Sequence, residues 1–144
     1  MPRKYAESYI DRLLIGTEYG DLVDLSQCLC SSRQFITSSP VYGLPQPAFV
    51  FVETLCWFAQ AIRSGAWTYY EATQPLRQSS MLAALKAHAP KDFAGWYGRG
   101  MAGWEDEDTM AAVDQWIEAN ESASIDWLQV HVNTHRQLVL ELTA

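Results

Sequence analysis

Apolar residues recur at three- to four-residue intervals along much of the chain, which is the period of amphipathic helices. The longest such stretch covers residues 48–64, where one face would carry Phe49, Val52, Leu55, Ala59 and Ile62. Pro47 suits the first turn of this helix because its missing N–H would have no partner there, and Gly65 suits its end. Residues 49–52 alone would also fit a strand, but the helical period continues beyond them.

Helices of the same kind are predicted on both sides of this stretch. Before it they cover residues 5–14 and 21–30, and after it residues 67–72 and 81–87. Pro75 would end the helix over residues 67–72, because proline cannot continue a helix. Ser79 or Ser80 would begin the next one, since serine is a favoured N-cap residue.

The last third of the chain predicts three more helices. Pro90 would begin a short one whose apolar side carries Phe93, Trp96 and Tyr97. Asp106 or Asp108 would cap a helix that ends near residue 119, with Trp116 among its inner residues. Ser122 or Ser124 would open the final helix, over residues 125–142.

Residues 31–47 interrupt this series with several prolines, serines and Gly43, and they predict a loop. Neither side of the loop alone looks like a full domain, so the loop is expected to lie within one domain. The pattern as a whole predicts an all-α fold, in which residues 1–144 form a single compact domain of about six or seven helices.

The composition limits the cellular location and the disulfide content that we expect. No apolar run approaches the roughly 20 residues that span a bilayer, and the N-terminal residues lack the apolar region of a secretory signal. The three cysteines are an odd number, which argues against a complete disulfide framework. We therefore expect a cytoplasmic protein without membrane association, with Cys28, Cys30 and Cys56 as ordinary thiols, and with Cys56 buried in the core.

Charge is distributed very unevenly. Residues 1–99 carry eight acidic and nine basic side chains, whereas residues 100–144 carry nine acidic and one basic. No lysine or arginine lies between Arg99 and Arg136. Such a surface favours a basic protein as partner and argues against direct binding of nucleic acid.

The acidic residues fall in a helical pattern. Glu105, Asp106, Glu107 and Asp108 are consecutive at a predicted helix start, where the helix dipole favours carboxylates. A stripe along the same helix would carry Glu107, Asp114, Glu118 and Glu121. Neighbouring carboxylates would lie about 5–10 Å apart, comparable with the roughly 6–7 Å between phosphates of one DNA strand. Trp104 is a candidate aromatic anchor beside them. An ordinary solvated helix face explains the same acids and stays open.

Candidate catalytic and cofactor motifs are weak. Residues 98–103 match G-x-G-x-x-G, but no strand precedes them, so the glycines are expected to end one helix and allow a tight turn into the next. His131 and His135 share a helical face and could bind a metal with a third ligand such as His88. A solvated polar face carrying both histidines is the competing interpretation. No nucleophile with a base is recognisable, and we expect neither an enzyme nor a cofactor.

Residues 49–120 resemble a small all-helical family typified by a bacterial DNA-mimic protein. Its pattern E-V-x-N-G-G-x-x-Q-Y compares with residues 61–70, where Gly65 and Tyr70 match and Trp67 supplies the aromatic. Its second helix compares with residues 81–90, through Leu82 and Leu85. The glutamate, asparagine, second glycine and glutamine of that pattern are replaced here. The resemblance implies an all-helical, non-enzymatic acidic protein that binds a DNA-binding or toxin-like protein.

These observations support three alternative hypotheses about function. The first is an immunity- or antitoxin-type inhibitor, or DNA mimic, that binds a nuclease toxin or DNA-binding regulator through its C-terminal acidic face. The second is a small helical metal-binding protein or enzyme that uses His131 and His135. The third is an oligomerisation module, for instance a homodimer, that associates through Trp67, Tyr69 and Tyr70.

Overall fold

The computed structural model describes residues 2–144, which form nine α-helices and no strand. They are α1 Glu7–Ile15, α2 Tyr19–Cys30, α3 Gln46–Ser64, α4 Ala66–Ala72, α5 Pro75–His88, α6 Lys91–Gly103, α7 Glu107–Ala119, α8 Glu121–Thr134 and α9 Arg136–Leu142. The all-α prediction is confirmed. The predicted count of six or seven helices is too low, because each of the predicted helical segments forms a helix of its own and the last one, over residues 125–142, is divided at His135.

Helix α3 is the centre of the fold. Residues 48–55 are buried without interruption, and the helix packs against α2, α4, α5, α7 and α8. A helix that is buried on all sides needs apolar residues all round, which the continuous apolar sequence supplies. Pro47 lies in its first turn, and Gly65 ends it with a φ of 92°, as predicted.

Aromatic side chains fill the core between α3, α6 and α7. The Trp57 ring lies 5.0 Å from the Tyr97 ring and 6.0 Å from the Trp116 ring, measured between centroids. Phe93 packs edge-on against Trp116 at 5.1 Å. Trp116 is therefore a core residue, as its position on the inner face of the predicted helix indicated.

A buried carboxyl group joins three tyrosines beside this core. The hydroxyls of Tyr42 and Tyr69 donate to Glu53, and the Tyr69 hydroxyl lies 2.8 Å from that of Tyr97. Burial raises the pKa of Glu53, although the two hydrogen bonds act in the opposite direction. The carboxyl group is thus held by the fold and has little contact with solvent.

The predicted loop is present as residues 31–45, between α2 and α3. Arg77 of α5 holds it, since its guanidinium donates to the carbonyl oxygens of Thr37, Ser39 and Pro40 at 2.8–3.0 Å. The same guanidinium lies 4.2 Å above the ring of Tyr42. Tyr42 has a φ of 59°, a conformation that costs energy in a residue other than glycine, and these contacts with Arg77 and Glu53 offset that cost.

Two helix starts differ from the prediction. Helix α5 begins at Pro75, not near residue 81, because proline is well accommodated in a first turn; Ser79 and Ser80 lie inside it. Helix α8 begins at Glu121. The hydroxyl of Ser124 donates to the carbonyl oxygen of Asn120, four residues earlier, so Ser124 bonds back within the helix and does not cap it.

Of the glycines of the G-x-G-x-x-G sequence, only Gly103 ends a helix, before the turn into α7. Helix α6 runs through Gly98 and Gly100 to Gly103. Gly100 is buried against the ring of Tyr70, where a β-carbon would lie 2.1 Å from the ring. The motif is therefore part of a packed helix, and its second glycine permits a close helix–side chain contact.

Three further predictions about burial are corrected. Cys56 is exposed, so it is not the buried core thiol that the sequence predicted. Tyr69 and Tyr70 are core residues, so neither is available for self-association, whereas Trp67 is exposed.

None of the described helices is both long and apolar enough to cross a lipid bilayer.

Candidate functional site

The acidic helix start predicted from the sequence is present at the beginning of α7. Asp106 caps the helix: its carboxylate accepts from the backbone N–H of Thr109 at 2.9 Å and from the Thr109 hydroxyl at 2.7 Å. These hydrogen bonds lower the pKa of Asp106. Asp106 is exposed, but its carboxylate already stabilises the helix start.

Asp114 has an internal role that the sequence did not reveal. Its carboxylate accepts from the backbone N–H of Ala66 at 2.8 Å. Ala66 begins α4, and the preceding N-cap residue is Gly65, which has no side chain to cap the helix. Asp114 supplies that cap from a different helix, and so it joins α7 to α4. Three residues of the predicted stripe, Glu107, Glu118 and Glu121, are left to face solvent. Contrary to the prediction, Glu121 is not on the same helix as the others, because α7 ends at Ala119 and Glu121 begins α8.

The remaining acids of this region are exposed and have no cationic partner. They are Glu105, Glu107, Asp108, Glu118 and Glu121. Within the described chain none of them forms an ion pair, whereas Glu7 and Asp11 of α1 pair with Arg136. Their negative charge is therefore not compensated by the protein itself.

A groove of about 480 Å³ lies beside the start of α7. It is lined by Trp67, Glu71, Trp104, Glu105, Glu107 and Met110. Trp67 is 43% exposed, and Trp104 is half-buried. Two indole rings and three carboxylates therefore share one depression. Glu71 was not predicted, because it lies on α4 and reaches this groove only through the tertiary fold.

A second groove, of about 380 Å³, lies further along α7. It is lined by Ala61, Ile62, Asp114, Ile117, Glu118 and Glu121. Ile62 is 60% exposed, although the sequence placed it on the inner face of α3. The two grooves are adjacent, because a β-carbon at Gly65 would lie 3.1 Å from Trp67 and 3.8 Å from Asp114. We use the term α7 face for the residues that line either of the two grooves, together with Asp108.

A second cluster brings together the three histidines. His88 is the last residue of α5, His131 lies in the last turn of α8, and His135 follows α8 directly. One ring nitrogen from each lies within 4.8 Å of the other two. His131 is only 6% exposed, so the interpretation of a solvated face is wrong for this residue. The suggested third partner, His88, is present.

Hydrogen bonds fix two of these rings. Nε2 of His131 lies 2.8 Å from the carbonyl oxygen of Pro47, and Nε2 of His88 lies 3.0 Å from the side-chain oxygen of Gln46. A carbonyl oxygen can only accept, so each Nε2 donates and carries the proton. Burial is the main cause that lowers the pKa of both rings, and the neighbouring histidines lower it further, although the hydrogen bond to Pro47 acts in the opposite direction on His131. Both imidazoles are thus favoured in the neutral form.

Comparisons with protein-family models, curated proteins and solved structures gave no match. The fold and the geometry of the two clusters are therefore the basis for the function, and membership of a DNA-mimic family stays a prediction.

Proposed function

We propose that this chain is a non-enzymatic binding protein whose α7 face holds a basic partner protein. The observation that carries the proposal is the combination of uncompensated carboxylates with exposed apolar side chains in two adjacent grooves. A solvated helix face would explain the acids alone, but it does not explain why Trp67 and Ile62 stand exposed among them.

The groove between Trp67 and Trp104 suits a cationic side chain. An arginine or lysine placed over an indole ring is attracted by the ring's electrons, and here Glu71, Glu105 and Glu107 line the same groove. Arginine fits best because its guanidinium is planar and can stack on an aromatic ring while it bonds to a carboxylate. A partner with arginines on its surface is therefore favoured.

The charge of the α7 face would act mainly on association and on the choice of partner. Complementary potentials speed the encounter and reject partners of the wrong sign. Proteins that bind nucleic acid, such as a nuclease toxin or a DNA-binding regulator, present the basic surface required. An inhibitor that occupies this surface, whether of the immunity type or as a DNA mimic, is the function that we infer. Nucleic acid itself would be repelled.

Affinity capture from an extract of the source cells tests the proposal. We expect the wild-type protein to retain a basic protein at low salt and to lose it at high salt, because exposed charge pairs are screened. Trp67→Ala should weaken this retention strongly, since a central tryptophan typically contributes about 2 kcal/mol or more to an interface.

Leu76→Ala is the matched control, because Leu76 is 65% exposed on α5 and does not line either groove. It should retain the partner as the wild type does. If no basic protein is retained, or if Trp67→Ala and Leu76→Ala behave alike, the α7 face is not the binding surface.

A further inference from the structure

The chain has three histidines, and the fold brings all three to one place. Two come from the end of α8 and one from the end of α5, so the cluster exists only when these helices are packed. His131 is buried, while His88 and His135 are half-buried. The α7 face neither includes nor requires these residues.

We propose that His88, His131 and His135 form a binding site for one divalent transition-metal ion, with zinc as the reference case. Three imidazole ligands suit zinc, cobalt, nickel and copper, which accept nitrogen donors readily. No carboxylate of the described residues belongs to the cluster, which disfavours magnesium and calcium because these ions require oxygen ligands. Three histidines with an open fourth position are an established zinc arrangement, in which water takes the fourth position.

The surroundings of two ligands match those of metal-bound histidines. Such histidines usually donate their second ring N–H to a carbonyl or carboxylate oxygen, which fixes the ring and its tautomer. His131 does so to Pro47 and His88 to Gln46, both in the first turn of α3. The nitrogen that remains unprotonated in each ring, Nδ1, is then free to bind a metal.

The distances require a small adjustment. Zinc–nitrogen bonds of about 2.0–2.1 Å in a tetrahedral site place the ligand nitrogens about 3.4 Å apart. One ring nitrogen of each histidine lies within 4.8 Å of the other two, so each ring has to move by roughly 1 Å to reach tetrahedral spacing. His135 is the ring best able to move, because it is half-buried and no hydrogen bond from residues 2–144 holds its ring. His131 is the fixed ligand, with the Trp127 ring packed 5.5 Å away.

Helix ends of both polarities meet at the cluster. Helices α5 and α8 both finish at the cluster, and the carbonyl end of a helix carries partial negative charge. The amino ends of α3 and of α9, whose N-cap residue is His135, lie close by and oppose this. Pro47 contributes no N–H there, however, and its carbonyl oxygen accepts from His131.

Calorimetric titration of the full chain without an affinity tag, after treatment with a chelator, tests the site with Zn²⁺. We expect one ion per chain in the wild type, and binding at least about a hundredfold weaker in His88→Ala and in His135→Ala. Gln46→Ala, which leaves all three ligands, should weaken binding about tenfold, since partners of a ligating histidine typically matter by 10- to 100-fold. Gln137→Ala, an exposed change on α9, is the matched control and should bind as the wild type does.

Two further readouts guard against misfolded variants and against thiol ligation. Zn²⁺ should raise the unfolding temperature of the wild type and leave that of His88→Ala unchanged, because only a ligand that binds the folded state stabilises it. Co²⁺ bound to the protein should show no thiolate charge-transfer band, and Cys56→Ser should leave its spectrum unchanged. The proposal is wrong if the wild type binds no stoichiometric metal, if the histidine variants bind equally well, or if the bound metal is lost in Cys56→Ser.

Discussion

Two glycines of α6 offer a matched pair of substitutions with opposite expected effects. A β-carbon at Gly95 would meet no atom within 4 Å, whereas a β-carbon at Gly100 would lie 2.1 Å from the ring of Tyr70. Both positions lie in the same helix. Replacing each by alanine therefore gives the same gain in helix propensity and differs only in packing.

The magnitudes follow from the surroundings. Gly95→Ala should stabilise the protein by about 0.5–1 kcal/mol, the usual difference between glycine and alanine in a helix. Gly100→Ala has the same gain, but Tyr70 has to move. Tyr70 is 2% exposed, its hydroxyl donates to the carbonyl oxygen of Tyr97 at 3.1 Å, and its ring packs against Tyr69.

Overpacking of a core costs about 1–3 kcal/mol, and loss of the Tyr70 hydrogen bond costs about 1 kcal/mol more. After the helix gain is subtracted, Gly100→Ala should lose about 1–3 kcal/mol relative to the wild type. The two variants should therefore differ by about 2–4 kcal/mol. For a chain of this length, each kcal/mol corresponds to about 2–4 °C in unfolding temperature.

Thermal and urea unfolding, followed by circular dichroism, measure this difference. If Gly100→Ala proves as stable as Gly95→Ala, Tyr70 does not pack on α6 as described, and the explanation of these glycines by helix packing is refuted.

Three further predictions concern single side chains. Asp114→Ala should destabilise the protein by about 1 kcal/mol in urea unfolding, because α4 loses its cap, and Asp114→Asn should lose less because its amide oxygen still accepts; equal losses would contradict the capping role. Glu53→Gln should remove a pH dependence of the free energy of unfolding. Burial raises the pKa of Glu53 above its ordinary 4.5, so the folded protein binds this proton more readily than the unfolded chain, and the wild type should lose stability relative to the variant as pH rises above about 4.5. A difference between the two proteins that stays constant across pH would contradict this. Arg77→Ala should speed proteolytic cleavage within residues 31–45, since it frees the three carbonyl oxygens that hold the loop, and an unchanged cleavage pattern would count against that role.

The helices that the sequence predicts well are those with a strong apolar period and a clear start. Helix α3 combines both, with Pro47 in its first turn and Gly65 at its end. Helix α7 likewise begins after the Asp106 cap and ends at Ala119 as predicted. In these segments local preferences and tertiary packing favour the same structure.

Tertiary contacts explain the segments that local pattern misses. Gly98 and Gly100 look like part of a turn, but α6 continues through them to Gly103, and Tyr70 of α4 packs on Gly100. Ser124 looks like a cap, but it is buried and bonds back to Asn120. Spacing along the chain does not carry information about such contacts.

The two candidate sites could likewise be predicted from the sequence only in part, because tertiary contacts complete them. The acids of α7 are evident in the sequence, but the capping role of Asp114 depends on where α4 begins. The spacing of His131 and His135 predicts a shared helical face, and His88 could be named only as one of several third partners. Its position beside them follows from the packing of α5 near α8 and the start of α3.

The central claim, that the α7 face holds a basic partner, is tested most directly by the dissociation constant of the captured partner for two variants of equal net charge. One variant is Glu107→Gln/Glu118→Gln/Glu121→Gln on the α7 face. The other is Asp24→Asn/Asp92→Asn/Asp126→Asn, which removes three exposed acids that line neither groove. At about 0.5–1 kcal/mol for each exposed charge pair, the first should bind about 10- to 100-fold more weakly and the second almost as tightly as the wild type. Equal affinities for the two variants would contradict the claim.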